Sequence, residues 1–551
     1  MSYAKTVDAI NGKHGADYVE ELKPPPDVND SKHVGGNALL VSRDGEVRKL
    51  PVPSSNPNDP LNFRGWEKTG IVICCCWFSI MGLSMAGGLG AILSVFFGLY
   101  MPQGYTSDQI VFLITMPSLC IGLGNYIILP LALAFGRRPV FLISMVILLA
   151  ATVFAAVQNT YDGHLAARIV QGLATGASES LLPLVLTEIT FLHERGRVFG
   201  LYWSLQNILS STINLASGYI NQDLGWRWYY WVFVIMLAVG MVIAVFFGFE
   251  TQFTRPAASV DGLLIYTDEY GVTTIIPDDE AQNHLARMQR EGMTLPTPED
   301  GGSAVPRKTY MQKLRPWSDV QNKPISIIFL TYLHMLQSVT SPGIVYAILA
   351  SSVTLGASIG MSLTYNEVLM TNYGWKPQNV GLINIGGMIG SLLGALYCAL
   401  LGDKLVLFLA RRNKGVHKPE HQLLTLIPPA VIGFAMLLLY GFTAAGGSTW
   451  WAPYIGWTLF QYTFTAILIT TTTFASEATT QHPGPALVVV VGTKNIVSFG
   501  VSYGLTPMVA KHGFPWAFGV LSGVYAAIFL LGVPVYYLNP IWRARQHFNK
   551  T

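Results

Sequence analysis

LAARIVQGLATGASESLLPLVLTEITFLHERGR (Leu165–Arg197) opens as an apolar helix and closes in a charged loop, yet it carries Arg168 and Glu179 inside its apolar part. The two lie eleven residues apart. At about 100° per residue, eleven steps of an unbroken helix return to within roughly 20° of the starting direction. Both side chains are therefore expected on one face, with Gln171, Gly172, Thr175 and Gly176 on or near it. An ionisable residue in a lipid-spanning helix costs several kcal/mol unless it faces protein or a water-filled cavity. The stretch calls for a polar interior and suggests a pathway. A second reading of Arg168 is a packing device bonded to backbone carbonyls. Glu179 has no partner visible in the sequence.

Composition agrees with a membrane setting. The chain has 551 residues, 51% hydrophobic and 12% charged, where soluble domains average about 25% charged. Mean hydropathy is +0.41. A net charge of +3 is too small to argue for nucleic acid. The five cysteines all fall in apolar runs without CxxC or His partners, so they read as packing residues rather than metal ligands or disulfides. No cofactor is expected. No basic n-region and short apolar core opens the chain, so no cleaved signal peptide is expected.

Residues 1–68 read as a polar cytosolic tail, unstructured over 1–55. Apolar runs of about the 20 residues a bilayer helix requires follow at 69–97, 109–134, 138–157, 164–187, 197–220 and 228–249. A polar cytosolic linker occupies 250–323, with one short amphipathic helix expected near 280–290. Residues 325–341 are apolar but short and precede Pro342-Gly343, which suggests a lateral or re-entrant segment. Six further runs lie at 342–366, 377–401, 423–444, 451–476, 485–509 and 515–537, before a tail at 538–551. The expected organisation is an N-terminal bundle (69–249), a linker and a C-terminal bundle (324–537). Most of the 34 Lys and Arg residues sit on the side of both tails, with Lys376 and Lys511 opposite, a positive-inside signal that places both tails in the cytosol. The halves repeat. Gly136-Arg137-Arg138 after the second run matches Arg411-Arg412-Asn413 after the eighth, and Gly225-Trp226-Arg227-Trp228 matches Gly513-Phe514-Pro515-Trp516. Paired halves related by an axis along the membrane normal, with a site between them near the midplane, are a transporter architecture.

On these residues the chain resembles the major facilitator superfamily over nearly its whole length. LPLALAFGRRPVFL (Leu129–Leu142) is similar to the superfamily's gate motif between helices two and three, and LAARIVQG (Leu165–Gly172) to its fourth-helix motif. NPNDPLNF (Asn56–Phe63), FLHERGR (Phe191–Arg197) and ARRNKGVHKPEHQL (Ala410–Leu423) narrow the likeness to the fungal twelve-spanner branch related to drug:proton antiporters. That branch includes permeases for organic cations such as polyamines and histidinol, and exporters of fungal metabolites. The resemblance implies an all-α membrane protein of two six-helix bundles with a central cavity. It implies a proton-coupled carrier of a small organic molecule in the plasma membrane, working as a monomer, with proton-coupling roles for Arg168 and Gln171. It implies a gate at Gly136, Arg137 and Arg138, with Asp403, Arg411 and Arg412 as the second-half counterpart. Two departures stand out. Leu133 and Ala134 occupy the gate positions where Asp and Arg are expected, and SSTINLASGYI (Ser210–Ile220) lacks the Gly-Pro and Gly-Gly pairs of the antiporter motif in helix five. The second departure leaves room for uptake rather than export.

Few other polar groups interrupt the apolar runs. Asn207 and Asn214 recur on one face of the fifth run, Tyr346 lies in the seventh, and Gln461 and Tyr462 in the tenth. Each is either a path residue or interhelical glue worth about 0.6 kcal/mol. Lys494 and Asn495 lie inside the eleventh run. Lys494 reads as a coupling group, an anion-binding group or half of a structural ion pair, with Glu477 a possible partner. Glu179 is the foremost proton-carrier candidate, and Tyr346 and Tyr462 beside a carboxylate would suit an organic cation. Enzyme motifs are missing: GGLGAIL (Gly87–Leu93) lacks a strand–GxGxxG–helix setting, and there is no HExxH. A channel or a non-transporting sensor are the remaining rivals.

Overall fold

The computed structural model describes residue 54 and residues 56–548, apart from 254–257, 261–262, 268–272, 278–305, 319–323, 413–417, 447 and 479–482. Of the stretch at 1–55 expected to be unstructured only Ser54 is described, and the helix expected near 280–290 lies outside the described residues. Ten helices among those residues are long and apolar enough to cross a membrane. We number the spans in chain order. They are the first (Gly65–Gln103), second (Ser107–Phe135), third (Arg137–Val157), fourth (Tyr161–Ile189), sixth (Trp226–Phe247), seventh (Pro342–Asn372), eighth (Pro377–Val406), ninth (His421–Ala444), eleventh (Gly484–His512) and twelfth (Phe514–Trp542). Two more polar helices of spanning length, Leu192–Leu224 and Trp451–Ala478, take the fifth and tenth places.

Helix starts are set by side-chain caps. Thr106 accepts from Gln109 N at the second span, Thr160 from Gly163 N at the fourth, and Ser341 from Ile344 N at the seventh. The repeated turn has a backbone cause. Gly225 and Gly513 join the fifth to the sixth span and the eleventh to the twelfth, with φ of 87° and 81°, a region open mainly to glycine.

Two apolar cores form. One gathers the first six spans around Phe78, Phe96, Trp203 and Tyr230. The other gathers the second half around Ile344, Tyr440, Phe474 and Tyr525. The halves meet where the second span lies along the eleventh, the fifth along the eighth and the first against the seventh. The short helix Pro324–Val339 packs on both the second and the eleventh spans, and its Tyr332 hydroxyl donates to Tyr126 O at 3.0 Å. One feature of the linker is not expected from the sequence reading. Three antiparallel strands, β1 (Ala258–Val260), β2 (Leu263–Thr267) and β3 (Thr273–Pro277), form a small sheet with Tyr266 opposite Thr274. LLIYT and TTIIP are short β-branched and aromatic runs, which carry that signal.

Small residues allow the closest approaches, as membrane helices require. A Cβ on Gly176 would lie 2.7 Å from Asn125 N, and one on Gly172 2.7 Å from Pro117 O, both on the second span. Across the halves, a Cβ on Gly122 would lie 2.7 Å from Gly492 O. Gly176→Val is therefore expected to lower stability by about 1–3 kcal/mol through overpacking, read as a lower thermal unfolding midpoint in detergent. Gly519→Val, which meets nothing within 4 Å, is expected to leave that midpoint unchanged. Equal midpoints for the two variants would contradict the packing.

Candidate functional site: an ion pair between the two bundles

The fourth span is not one helix. Its α-helix stops at Thr175, a 3-10 turn covers Gly176–Ser178, and a second helix runs Leu181–Ile189. Pro183 supplies the reason: it has no N–H to donate to the carbonyl four residues back, that of Glu179, and its ring crowds that carbonyl. Serine and threonine hydroxyls satisfy the loosened backbone. Thr175 Oγ1 donates to Gln171 O at 2.8 Å, Ser178 Oγ to Thr175 O at 2.7 Å and Ser180 Oγ to Gly176 O at 2.9 Å. The single-face argument for Arg168 and Glu179 assumed an unbroken helix, and this break removes it.

Glu179 is buried and turns toward the second half. Its Oε1 accepts from Lys494 Nζ at 2.9 Å, with side-chain exposures of 5% and 2%. Its Oε2 accepts from Asn495 Nδ2, and Asn125 Nδ2 stands 3.5 Å away. Asn495 Nδ2 also donates to Val491 O at 2.8 Å. Ser118 on the second span and Ser498 on the eleventh extend the polar seam, their hydroxyls 3.3 Å apart. The Oδ1 atom of Asn125 is buried and makes no hydrogen bond among the described residues. So Lys494 pairs with Glu179; the side chain of Glu477, the other partner considered for it, lies outside the described residues. An ion pair this deep must match its charges locally, because each ion carries a desolvation cost of several kcal/mol.

Arg168 belongs to a separate cluster. Nε donates to Leu113 O at 2.8 Å, Nη1 to Met85 O at 2.9 Å and Nη2 to Ala86 O at 2.8 Å. Gln171 Oε1 accepts from Nη1 at 3.2 Å, and Gln171 Nε2 reaches Ala151 O at 3.4 Å. A guanidinium tied to carbonyls of the first and second spans is the packing arrangement weighed in the sequence.

At the turn between the second and third spans, the two arginines of the expected gate meet acids from elsewhere in the chain. Arg137 donates to Glu188 Oε1 through Nε at 3.0 Å and Nη2 at 2.7 Å, and Thr251 donates to Glu188 Oε2. Glu250 caps the third span, accepting from Arg137 N and Arg138 N at 3.1 Å each, where a helix N-terminus favours negative charge. Arg138 donates to Gly248 O, to Val245 O at 2.7 Å and to Leu314 O at 3.1 Å. Gly136, at φ 104°, makes the turn. The acid missing at Leu133 is thus replaced by Glu188 and Glu250, from the ends of the fourth and sixth spans. These contacts stay within the first half and the linker. Arg412 is exposed, and the side chains of Asp403 and Arg411 lie outside the described residues.

The model for the Major Facilitator Superfamily matches residues 72–484. The chain belongs to the major facilitator superfamily. Its relatives include an uncharacterised MFS-type transporter of Schizosaccharomyces pombe, 25% identical over 80% of this chain and 78% of that protein. Efflux pump radE of Floropilus chiversii is 24% identical over 94% and 90%, and Protein HOL1 of Saccharomyces cerevisiae 25% over 74% and 75%. Among solved structures, the human organic anion transporter MFSD10 (TETRAN) shares the fold, with a TM-score of 0.53, 13% identity and coverage of 85% of this chain and 100% of that one. A member of this superfamily is a membrane transporter, not an enzyme.

Within this superfamily member, the remaining expected path residues do not join the ion pair. Asn207 Nδ2 donates to Trp203 O in its own helix at 2.9 Å. Asn214 sits by the first span, its Oδ1 2.6 Å from where a Cβ on Gly88 would lie. Gln461 Nε2 donates to Ser358 Oγ at 3.0 Å, joining the tenth span to the seventh. The Tyr346 hydroxyl would lie 2.7 Å from a Cβ on Gly532, at the twelfth span. Tyr462 stacks edge-on against Tyr397, 5.8 Å between centroids, in a groove of about 620 Å³ also lined by Leu393, Leu400 and Lys404. Neither tyrosine is among the hydrogen-bond partners of Glu179 within the described residues, which are Lys494, Asn495 and Asn125. Asn366 Nδ2 closes the seventh span onto the first, 3.1 Å from Ala91 O.

Proposed function

We propose that this transporter exchanges a small organic cation for protons by alternating access, and that Glu179 is the group for which cation and proton compete. The observation that carries the reading is the cross-bundle pair of Glu179 and Lys494, 2.9 Å apart and buried. Lys494 acts as a built-in cation. A proton on Glu179 cancels the attraction, and an ammonium group from a substrate replaces it; either event loosens the ionic tie between the halves. Asn125 Oδ1, unpartnered and beside the carboxylate, offers an acceptor to a protonated Glu179. Competition at one carboxylate is antiport, which agrees with a relative named as an efflux pump. The departure of SSTINLASGYI (Ser210–Ile220) from the antiporter pattern favours a second reading, uptake, which the direction of flux separates from the first. In this reading one copy suffices, the protein resides in the plasma membrane, and both chain ends and the linker face the cytosol, following the positive-inside bias.

The test is uptake of labelled spermidine into proteoliposomes under imposed pH gradients. The wild type is expected to accumulate it against its gradient, with a rate that follows pH. Glu179→Gln is expected to carry it only downhill and at a pH-independent rate. An unaltered pH profile in that variant removes Glu179 from coupling.

A further inference from the structure

The end of the linker straps the first half. Thr309 caps a short helix, Tyr310–Lys313. Lys313 Nζ and Arg307 Nη2 bond Glu67 at 2.8 and 3.0 Å, and the Tyr310 hydroxyl donates to Phe246 O at 2.9 Å. Leu314 O takes a bond from Arg138. The strap then reaches the Glu250 cap of the third span, a contact called the latch below: Ser318 Oγ donates to Glu250 Oε2, the oxygen that also accepts from Arg138 N. The site is close-fitting, because a Cβ on Gly136 would collide with Ser318 Oγ and Cβ. Next to this contact the chain is exposed at Arg315, Pro316 and Trp317, the last 69% exposed.

We propose that Ser318 is a phosphorylation site, and that its phosphate prevents the strap from docking on the Arg137–Glu250 latch. Exposed Arg315, three residues upstream, supplies the cation that a base-directed serine kinase pairs with an acid of its own. In the transfer, Ser318 Oγ bonds the γ-phosphorus of ATP, the bond from that phosphorus to the bridging oxygen breaks, the hydroxyl proton passes to the kinase's base, and ADP leaves. The product carries a charge of about −1.5 to −2 and has lost its donor proton. In the docked strap its oxygen would lie against the Glu250 carboxylate. The Arg137 guanidinium donates to Glu188 and Ala132 O, and that of Arg138 to three carbonyls. The space that excludes a methyl at Gly136 has no room for a phosphoryl group. The kinase acts on the undocked strap, and the modified strap stays undocked. The inference takes the cytosolic placement of the linker from the proposed function, but its readout needs no transport.

Two measurements on the full chain test it. Phosphopeptide mass spectrometry of protein purified from a fungal host is expected to find phosphate on Ser318. In detergent, trypsin is expected to cut after Lys313, which is buried in the docked strap, several-fold faster in Ser318→Glu than in wild type, with Ser318→Ala close to wild type. Ser318 unmodified in cells whose other serines carry phosphate overturns the site. Equal cleavage of Ser318→Glu and Ser318→Ala overturns the switch.

Discussion

Replacing Lys494 by Met is expected to destabilise the folded protein by about 3–5 kcal/mol, because it strands an ionised Glu179 in a buried site. Glu179→Gln is expected to harm stability in the same way, by leaving Lys494 Nζ without its 2.9 Å partner. The double variant Glu179→Gln/Lys494→Met is expected to recover most of the loss, since replacing a whole buried pair with uncharged groups is often neutral or better. Thermal unfolding of the four proteins in one detergent gives the coupling directly. Additive losses would mean that the two charges do not face each other. The double variant is also expected to fold without coupling: spermidine flux through it should ignore pH. A stable protein that retains pH-driven accumulation would place the proton elsewhere.

Arg168→Lys should be the second most damaging change, and it separates two roles for this residue. Three of the four bonds from the guanidinium go to backbone carbonyls of Leu113, Met85 and Ala86. A lysine ammonium keeps the charge but lacks the planar fork that reaches three separate oxygens. Each buried carbonyl left without a donor costs about 1–3 kcal/mol. The expected result is a lower unfolding midpoint and less folded protein, while transport per folded molecule and its pH dependence hold. If instead the variant is as stable as wild type but transports without regard to pH, Arg168 is the coupling group that the fourth-helix motif implies.

The helices were readable because each apolar run has to bury its backbone polar groups within itself, and the glycine turns recur where the backbone needs positive φ. The charged partners were not. Glu179 and Lys494 are separated by 315 residues, and periodicity within a span says nothing about which distant span it meets. Pro183 did carry a readable warning. Its missing donor is what breaks the fourth span and redirects Glu179, and an argument from a continuous helix passes over it. The latch acids were hidden for a different reason. Glu188 and Glu250 sit at span ends beside charged loops, where an acid reads as solvated. Tyr346 and Tyr462 show the limit of composition: an aromatic in a span has several neighbouring helices to face, and neither of these two hydrogen-bonds Glu179.

The charges lie beside the seam where Gly122 and Gly492 let the second and eleventh spans come nearest. In the proposed alternating access, a contact that close would serve as a fulcrum for two rocking bodies, the seam staying shut while the far ends of the bundles swing. A trigger placed next to a fulcrum has a short throw and a long reach. In the proposed exchange, a slight parting at Glu179, no more than one added hydrogen nucleus can produce, would become wide travel at the mouths of the protein.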